Sequence, residues 1–327
     1  VALAQAMGES GRGIWQVVPY FPDMKQQLDN IRELGDISLA ANVPCSLQPV
    51  LSSPTSPNAE ELIEALEKEQ ARGARVFGQT MPRCFDLNMR LSETSMLLYA
   101  LPRWKKIMDL PREQRLEQFK EQKSELVNEM KDAKGMSGSI PFLKVGSVKS
   151  DENQRYQGQY LGSIAQEENK ELGEVILDLS IRDDLDTEFQ LQNVINADKQ
   201  AVAKIVSHPL CHFGASDAGA HITQFCGTGD TSHLLQHYVR ETSTFSLEEA
   251  IHKMTGELAV DWGLADRGTL EEGKAADIVI FNSEIVSVGK EEFVDDFPGE
   301  ARRYVRKSEG YDVVIVNGAI AYQDGRY

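Results

Sequence analysis

The segment Phe213-Gly214-Ala215-Ser216-Asp217-Ala218-Gly219-Ala220-His221 is the most informative stretch of the sequence. An apolar run leads into an aspartate, and the small residues after it let a backbone or a ligand approach closely. In a (β/α) barrel, an acidic residue at the C-terminal tip of a strand lies where active sites are built. Such a carboxylate could bind a metal, activate its water and later protonate a leaving group. The same pattern also fits an aspartate that caps a helix or closes a turn.

Around this segment, the composition is that of an ordinary globular protein with a strong negative charge. The 327 residues include 34 Lys and Arg against 51 Asp and Glu, which gives a formal net charge of -17. This length predicts two domains, or one large α/β domain with an appendage. The negative charge disfavours nucleic-acid binding. No run approaches the ~18 apolar residues that a membrane span needs, so no membrane partner is expected.

The cysteines and the first residues indicate the cellular context. The four cysteines are scattered and form no Cys-x-x-Cys pair. Four cysteines in a chain of this length do not make a disulfide framework, so we expect a reducing, cytoplasmic location. The sequence begins Val1-Ala2-Leu3-Ala4 without an initiator Met or a basic signal-peptide region. We therefore expect the chain to be part of a longer protein.

Short β-rich runs alternate with amphipathic helical stretches, which is typical of parallel βα units. The sequence predicts strands at 13–18, 43–50, 74–80, 141–148 and 211–216, and helices at 58–73 (with Asn58 as N-cap), 111–130 and 246–263. The charged run 112–134 is expected to be a solvated helix face or an insertion that covers the pocket. After residue 264 the pattern becomes β-rich, with a strand at 276–281 and a hairpin whose turn is Asn317-Gly318.

The sequence around Asp217 resembles the final barrel strand of the amidohydrolase superfamily, and most of all its N-acyl-D-amino-acid deacylase (D-aminoacylase, amidohydrolase-3) branch. The likeness continues in the family's order through 234–241, 246–250, 254–255 and 266–281. The resemblance implies an α/β fold. Residues 1–264 would form the C-terminal half of a (β/α)8 TIM-type barrel, and residues 265–327 would form strands of a small β-sandwich.

The resemblance also implies roles for individual residues. Asp217 would contact a metal-bound water and pass its proton to the departing amine, so it is expected as both a catalytic residue and a metal contact. His221, in the loop over the site, and Gln79 and Arg83, at the end of a strand, are expected to bind substrate. Arg83 could hold a substrate carboxylate bidentately. A structural loop histidine and a solvated arginine remain the alternative interpretations.

The resemblance implies a zinc cofactor, but this sequence departs from the family pattern. No His-x-His occurs, and all six histidines lie after residue 200. Where metal-dependent relatives carry a histidine on strands five and six, the predicted strands here offer Gln16, Gln48 and Gln79. Glutamine is a poor ligand for Zn²⁺. The three amides suggest a hydrogen-bonding pocket, and the site holds one metal through residues upstream of Val1 together with Asp217, or none.

The function that the resemblance implies is hydrolysis of a linear amide bond in a small N-acyl amino acid-like substrate. Two alternatives remain open. One is a cyclic-amide hydrolase of the hydantoinase or dihydroorotase type, and the other is a non-catalytic or metal-free amidohydrolase-like binding protein. Half of a barrel would expose strand edges and core, which predicts an inactive piece that aggregates, expresses poorly or forms a homo-oligomer.

Overall fold

The computed structural model describes residues 2–18, 24–52 and 59–327. Its strands β1 to β12 span Trp15–Val17, Cys45–Leu47, Val76–Thr80, Phe85–Met89, Lys144–Val145, Phe189–Ile195, Cys211–Phe213, Ile278–Phe281, Ser287–Phe297, Ala301–Glu309, Tyr311–Val316 and Ala319–Gln323. Its helices α1 to α13 span Ala2–Ser10, Met24–Ala41, Ala59–Ala71, Pro102–Met108, Arg112–Glu121, Lys123–Met130, Asp151–Gln154, Leu161–Glu167, Leu172–Arg182, Lys199–Ser207, Asp230–His233, Leu247–Met254 and Gly256–Asp261. Short 3₁₀ helices span Met96–Leu98, Gly135–Phe142 and Pro298–Glu300, and a π-helix spans Leu234–Glu241.

Four parallel strands, in the order β1-β2-β3-β7, form the sheet that positions the predicted site. Side chains alternate between the two faces of each strand, and residues paired in register share a face. Cys45 pairs with Val76, and both face an apolar core together with Cys211 of β7. Ile31 of α2 and Leu66 of α3 are buried in the same core. Burial of each such aliphatic side chain contributes ~1.5–3 kcal/mol, which holds the helices on this face.

The opposite face of the parallel sheet is polar. Gln16 pairs in register with Ser46, and Gln79 pairs with His212. The His212 ring stacks on Phe77 with their ring centroids 4.5 Å apart. Parallel sheets covered by helices on both sides are normally apolar on both faces. Polar side chains on all four strands, Gln16, Ser46, Gln79 and His212, therefore mark this face as the one that serves a site.

The structure corrects the prediction of a strand at 141–148. The 3₁₀ helix extends through Phe142, and only Lys144 and Val145 form a strand, antiparallel to β6. Pro141 lies in this run and has no N–H for a sheet hydrogen bond, which explains the failure. The described parallel sheet thus has three strands before β7 where the sequence predicted four. The last predicted strand also ends early, at Phe213, and Ala215 has a φ of +60°.

The predicted helices are present, and two of them are interrupted. The charged helix divides into α5 and α6 at Gln122, and the later helix divides into α12 and α13 at Thr255. The capping box at the start of α12 is as its sequence suggests: Glu249 N–H donates to Ser246 Oγ at 3.2 Å, and Ser246 N–H donates to a Glu249 carboxylate oxygen at 2.8 Å. The predicted N-cap Asn58 lies outside the described residues.

Residues 85–195 build a second core beside the parallel sheet. Its antiparallel sheet has the order β4-β6-β5, and helices α4, α5, α6, α8 and α9 pack around it. Trp104, Phe119 and Phe189 are fully buried there. Most charged side chains of this run are exposed, so α5 and α6 present a solvated face while their apolar side fills this core.

The C-terminal strands form a three-stranded antiparallel sheet in the order β12-β11-β8. Asn317 and Gly318 both have positive φ, 48° and 81°, so they form the predicted two-residue turn. Between β8 and β11, the long hairpin of β9 and β10 leaves this sheet and reaches the second core. Among the described helices, none is long and apolar enough to cross a membrane.

A buried polar cluster attaches this hairpin to the second core. Arg90 and Glu188 form an ion pair whose side chains are 7% and 9% exposed. Tyr304 Oη of β10 donates to Glu188 Oε1 at 2.6 Å, and the Arg90 guanidinium lies 4.5 Å from the ring centroid of Phe293 in β9. Burial alone would raise the pKa of Glu188, but the Arg90 charge and the Tyr304 hydroxyl outweigh it and hold that pKa below its ordinary value.

The replacement Arg90→Ala tests how much this cluster stabilises the protein. It leaves a buried carboxylate without its cation, so we expect the free energy of unfolding to fall by about 3–5 kcal/mol. The control is Arg303→Ala, which removes an ion pair with Asp296 at a solvent-exposed site and should cost less than about 1 kcal/mol. Urea unfolding followed by circular dichroism measures both. Equal losses in the two variants would contradict a stabilising role for the cluster.

Candidate functional site

The structure brings two glutamines at neighbouring strand ends, Gln16 and Gln48, together with Asp217. Asp217 lies four residues beyond the end of β7. Its Oδ1 accepts a hydrogen bond from Gln48 Nε2 at 2.9 Å, and Gln48 Oε1 accepts one from Gln16 Nε2 at 2.5 Å. We call these three residues the amide relay. Asp217 is exposed to solvent, so a ligand can reach its carboxylate.

The Asp217 loop depends on a close backbone approach. A Cβ at Gly227 would lie 2.0 Å from the Ser216 carbonyl oxygen, so only glycine fits there. Asp217 itself has a φ of +50°, in the left-handed region that aspartate tolerates better than most residues. The loop is also tied to the hairpin, because Tyr304 N–H donates to the carbonyl of Ile222 at 2.8 Å. Gly227, which lies outside the segment 213–221, allows this approach, whereas a Cβ at Gly219 inside that segment would meet no atom within 4 Å.

The predicted substrate-binding residues Gln79 and His221 occupy different surroundings. Gln79 is 7% exposed and donates through Nε2 to Ser46 Oγ at 2.8 Å, on the polar face of the sheet. His221 is exposed in the Asp217 loop, with its Nδ1 3.3 Å from Gln224 Nε2. Contact with substrate remains a prediction for both residues.

Arg83 is engaged with the protein itself. Its Nε donates to Asp230 Oδ1 at 2.5 Å, Nη1 donates to the Cys84 carbonyl and Nη2 donates to the Cys226 carbonyl. Burial raises the pKa of Asp230 even though the Arg83 charge opposes the shift. Each guanidinium nitrogen therefore has an intramolecular partner. Holding a substrate carboxylate, as the sequence analysis predicts, would have to use the remaining donors of Arg83.

Arg83 lines a cavity of about 490 Å³, and Asp217 does not. Two of its lining residues, His233 and His237, stack with their ring centroids 5.3 Å apart. Burial, together with the neighbouring His237, lowers the pKa of His233 to about 4. Of its lining residues, Arg83 was the one predicted from the sequence to bind substrate. The four-residue spacing of the two histidines is ordinary on a helix and did not point to a cavity.

The described residues do not by themselves fit a zinc ion. Across residues 2–18, 24–52 and 59–327, no group of three or more His, Cys, Asp or Glu side chains is arranged to hold a metal. At the strand ends, Asp217 is accompanied by Gln16 and Gln48, whose amides are poor zinc ligands. The Gln48 amide also directs an N–H towards the carboxylate. A metal ligand would instead direct a lone pair towards the metal ion. A zinc site would need ligands from outside the described residues.

Comparison with known proteins identifies the family. A model of the amidohydrolase family matches residues 151–322, more than half of the chain. The chain belongs to the amidohydrolase family. It is 42% identical over 89 residues to the N-acyl-D-aspartate deacylase of Alcaligenes xylosoxydans xylosoxydans, a match covering 26% of this chain and 17% of that protein. It is 34% identical over 129 residues to the N-acyl-D-glutamate deacylase of the same organism, covering 38% and 24%.

Solved structures of amidohydrolases share the fold. D-aminoacylase aligns with 99% of this chain at 20% identity and a TM-score of 0.58. The N-acyl-D-glutamate deacylase of Bordetella bronchiseptica, solved with zinc and a phosphonate mimic of the tetrahedral intermediate, aligns with 98% at 17% identity and a TM-score of 0.60. In both cases this chain covers only 55% of the length of the solved protein. The α/β fold of this chain is therefore similar to that of D-aminoacylase.

The pKa of His233 makes stability depend on pH. Its folded-state pKa of about 4 lies below the ordinary 6.5, so between these values the unfolded chain binds a proton that the folded chain does not. The stabilisation is complete above about pH 6.5 and is lost as the pH falls towards 4, by up to about 3 kcal/mol. We expect His233→Gln to flatten this dependence in urea unfolding measured from pH 7.5 to 4.5.

The matched control for this prediction is His252→Gln, at an exposed histidine of α12. This variant should retain the wild-type dependence on pH. The explanation fails if His233→Gln loses stability on acidification as steeply as the wild-type protein does.

Proposed function

We propose that the protein hydrolyses the amide bond of an N-acyl-D-amino acid and that Asp217 transfers the proton in this reaction. The observation that carries the proposal is the position of Asp217. It is an exposed carboxylate at the C-terminal edge of a parallel sheet, in a chain of the amidohydrolase family. The two deacylases of Alcaligenes support the substrate class, because both are named for N-acyl derivatives of acidic D-amino acids.

The same proposal extends to the architecture. The four parallel strands are interpreted as half of a (β/α)8 barrel, within residues 1–264. The sheet of β8, β11 and β12 is interpreted as part of a β-sandwich, within residues 265–327. The outward-facing apolar residues Val279 and Ile320 of this sheet, 49% and 62% exposed, support a sandwich in which another layer covers them.

In the proposed reaction, a water oxygen attacks the amide carbonyl carbon and the C–N bond then breaks. Asp217 accepts the proton from the attacking water and returns it to the leaving nitrogen, so the products are a carboxylic acid and a free amine. Gln48 orients the carboxylate through its hydrogen bond to Oδ1. His221, Gln79 and Arg83 are proposed to bind the substrate. No step is assigned to zinc, because the described residues do not supply a set of ligands for it.

One observation favours a second candidate function. The amide relay fills strand ends where a metal-dependent amidohydrolase would carry ligands, and this suits a metal-free binding protein of the same fold. Hydrolysis of a cyclic amide is the nearest alternative reaction. A cytoplasmic location and a homo-oligomeric state also remain predictions.

The replacement Asp217→Asn tests the proposed reaction. Removing a general acid–base group typically costs 10²–10⁴-fold in rate, so we expect a loss of about that size. Release of the free amino acid from N-acetyl-D-aspartate and N-acetyl-D-glutamate is the measurement.

The matched control is Asp184→Asn. Asp184 also has a left-handed φ, of 53°, and its side chain is 71% exposed, away from the relay. It should retain full activity. A wild-type protein that binds these compounds without cleaving them would favour the binding-protein alternative, and full activity of Asp217→Asn would exclude the role given to Asp217.

A further inference from the structure

We infer that Gln16, Gln48 and Asp217 form a hydrogen-bonded unit that fixes the Asp217 carboxylate through amides and excludes a divalent metal from these strand ends. The inference concerns the site of the proposed function and rests on it for the role of Asp217. It goes beyond the proposed function in two respects: the carboxylate is held by amides, and this edge of the sheet does not bind a divalent metal.

The relay has a defined direction of donation. A carboxylate is an acceptor only, whereas each amide has one accepting oxygen and one donating nitrogen. Gln48 Nε2 faces Asp217 Oδ1 at 2.9 Å, and its Oε1 faces the donating nitrogen of Gln16 at 2.5 Å. Reversing the Gln48 amide would place two acceptors against each other at Asp217 and two donors against each other at Gln16. The carboxylate of Asp217, which can only accept, therefore fixes the direction of the Gln48 amide, and Gln48 in turn fixes the direction of the Gln16 amide.

The main chain reinforces the relay. Gln48 directly follows β2, and its N–H donates to the carbonyl of Val17 at 3.0 Å. Gln16 precedes Val17 in β1, so the two glutamines are held on neighbouring parallel strands by the same ladder of hydrogen bonds. Their side chains meet at the edge because the strands that carry them are in register. The arrangement is thus built into the sheet.

Metal binding would compete directly with this arrangement. A zinc ion needs lone pairs from three or four ligands at about 2.0–2.3 Å. Gln48 directs an N–H at the carboxylate, and its oxygen is already occupied by Gln16. Coordination by Gln48 would break both hydrogen bonds of the relay, one of them to a charged acceptor, in exchange for a weak amide ligand.

The histidine on the same face cannot supply the missing ligand in this arrangement. His212 is 1% exposed, and both of its ring nitrogens are engaged. Nε2 lies 2.8 Å from an Asp261 carboxylate oxygen, and Nδ1 accepts from Trp262 Nε1 at 3.2 Å. Gln79 is likewise engaged, with Ser46. Of the polar groups described on this face, Asp217 is thus the one strong zinc ligand open to solvent.

The relay leaves one carboxylate oxygen for the ligand. Among the hydrogen bonds of the described residues, those to the Asp217 carboxylate end at Oδ1. Oδ2 can then face a bound molecule while Oδ1 remains anchored. A carboxylate held in this way presents an acceptor of fixed direction to an amide N–H or a water molecule, which is the chemistry that an amide substrate requires.

Zinc titration of the 327-residue chain, by competition with a chromogenic chelator, tests this inference. We expect Asp217→Asn to leave the zinc affinity of the chain unchanged, because a single carboxylate does not make a zinc site. We expect the double variant Gln16→His with Gln48→His to gain a site for one zinc ion, with at least a 100-fold increase in affinity, because it replaces the relay by two imidazoles beside a carboxylate.

The control for added histidines is the pair Gln114→His and Gln323→His, which lie on separate elements, α5 and β12. It should not gain the site. Circular dichroism confirms that each variant is folded, and Gln48→Leu, which should also leave zinc affinity unchanged, provides a second test if the double variant does not fold.

Two results would overturn the inference. One is tight binding of zinc by the wild-type chain that is lost in Asp217→Asn or Gln48→Leu, and the other is a folded double variant that gains no affinity. Because the readout is zinc binding, failure to cleave N-acyl-D-amino acids would count against the proposed function alone.

Discussion

The period-two alternation of side chains along four parallel strands is the constraint on which the rest of this structure depends. It sends Cys45, Val76 and Cys211 towards the helices and Gln16, Ser46 and Gln79 to the other face. Because parallel strands all end at one edge, polar residues near those ends converge. The apolar face holds α2, α3 and α10 in place, and the polar face meets Asp217. A shift of one residue in the register would exchange the two faces, so packing and site geometry are determined by the same hydrogen bonds.

A second layer of organisation supports the loop that carries Asp217. This loop lies against the hairpin of β9 and β10, where the Tyr304 backbone donates to Ile222. The Tyr304 side chain is anchored in turn by Glu188 and Arg90 of the second core. A buried ion pair in the second core is thus connected, through one strand, to the loop of the candidate site. The hairpin and the region 85–195 therefore help to hold the loop.

The histidine-lined cavity shows how packing can separate chemistry that looks alike in sequence. His233 and His237 lie in a chain of the amidohydrolase family, yet they line a cavity that Asp217 does not. Burial suppresses protonation of His233, and His237 is paired with Glu241 at 2.8 Å. The buried surroundings of His233, and not its residue type, make it a candidate for a contribution to stability that depends on pH.

Much of this protein could be predicted from the sequence alone because the signals are local. The strands around Gln16 and Gln79, the capping box at Ser246 and the Asn317-Gly318 turn each depend on a few neighbouring residues. The region 85–195 was only partly predicted, and its strand at 141–148 was wrong, because Pro141 and non-local pairing with β6 override the apolar pattern. The residues around Asp217 likewise indicated the family. The glutamines at the strand positions where relatives carry histidines argued against a zinc site. The hydrogen bond from Gln48 to Asp217, across 169 positions, was decided only by the tertiary structure, because it requires two strands to end at the same edge.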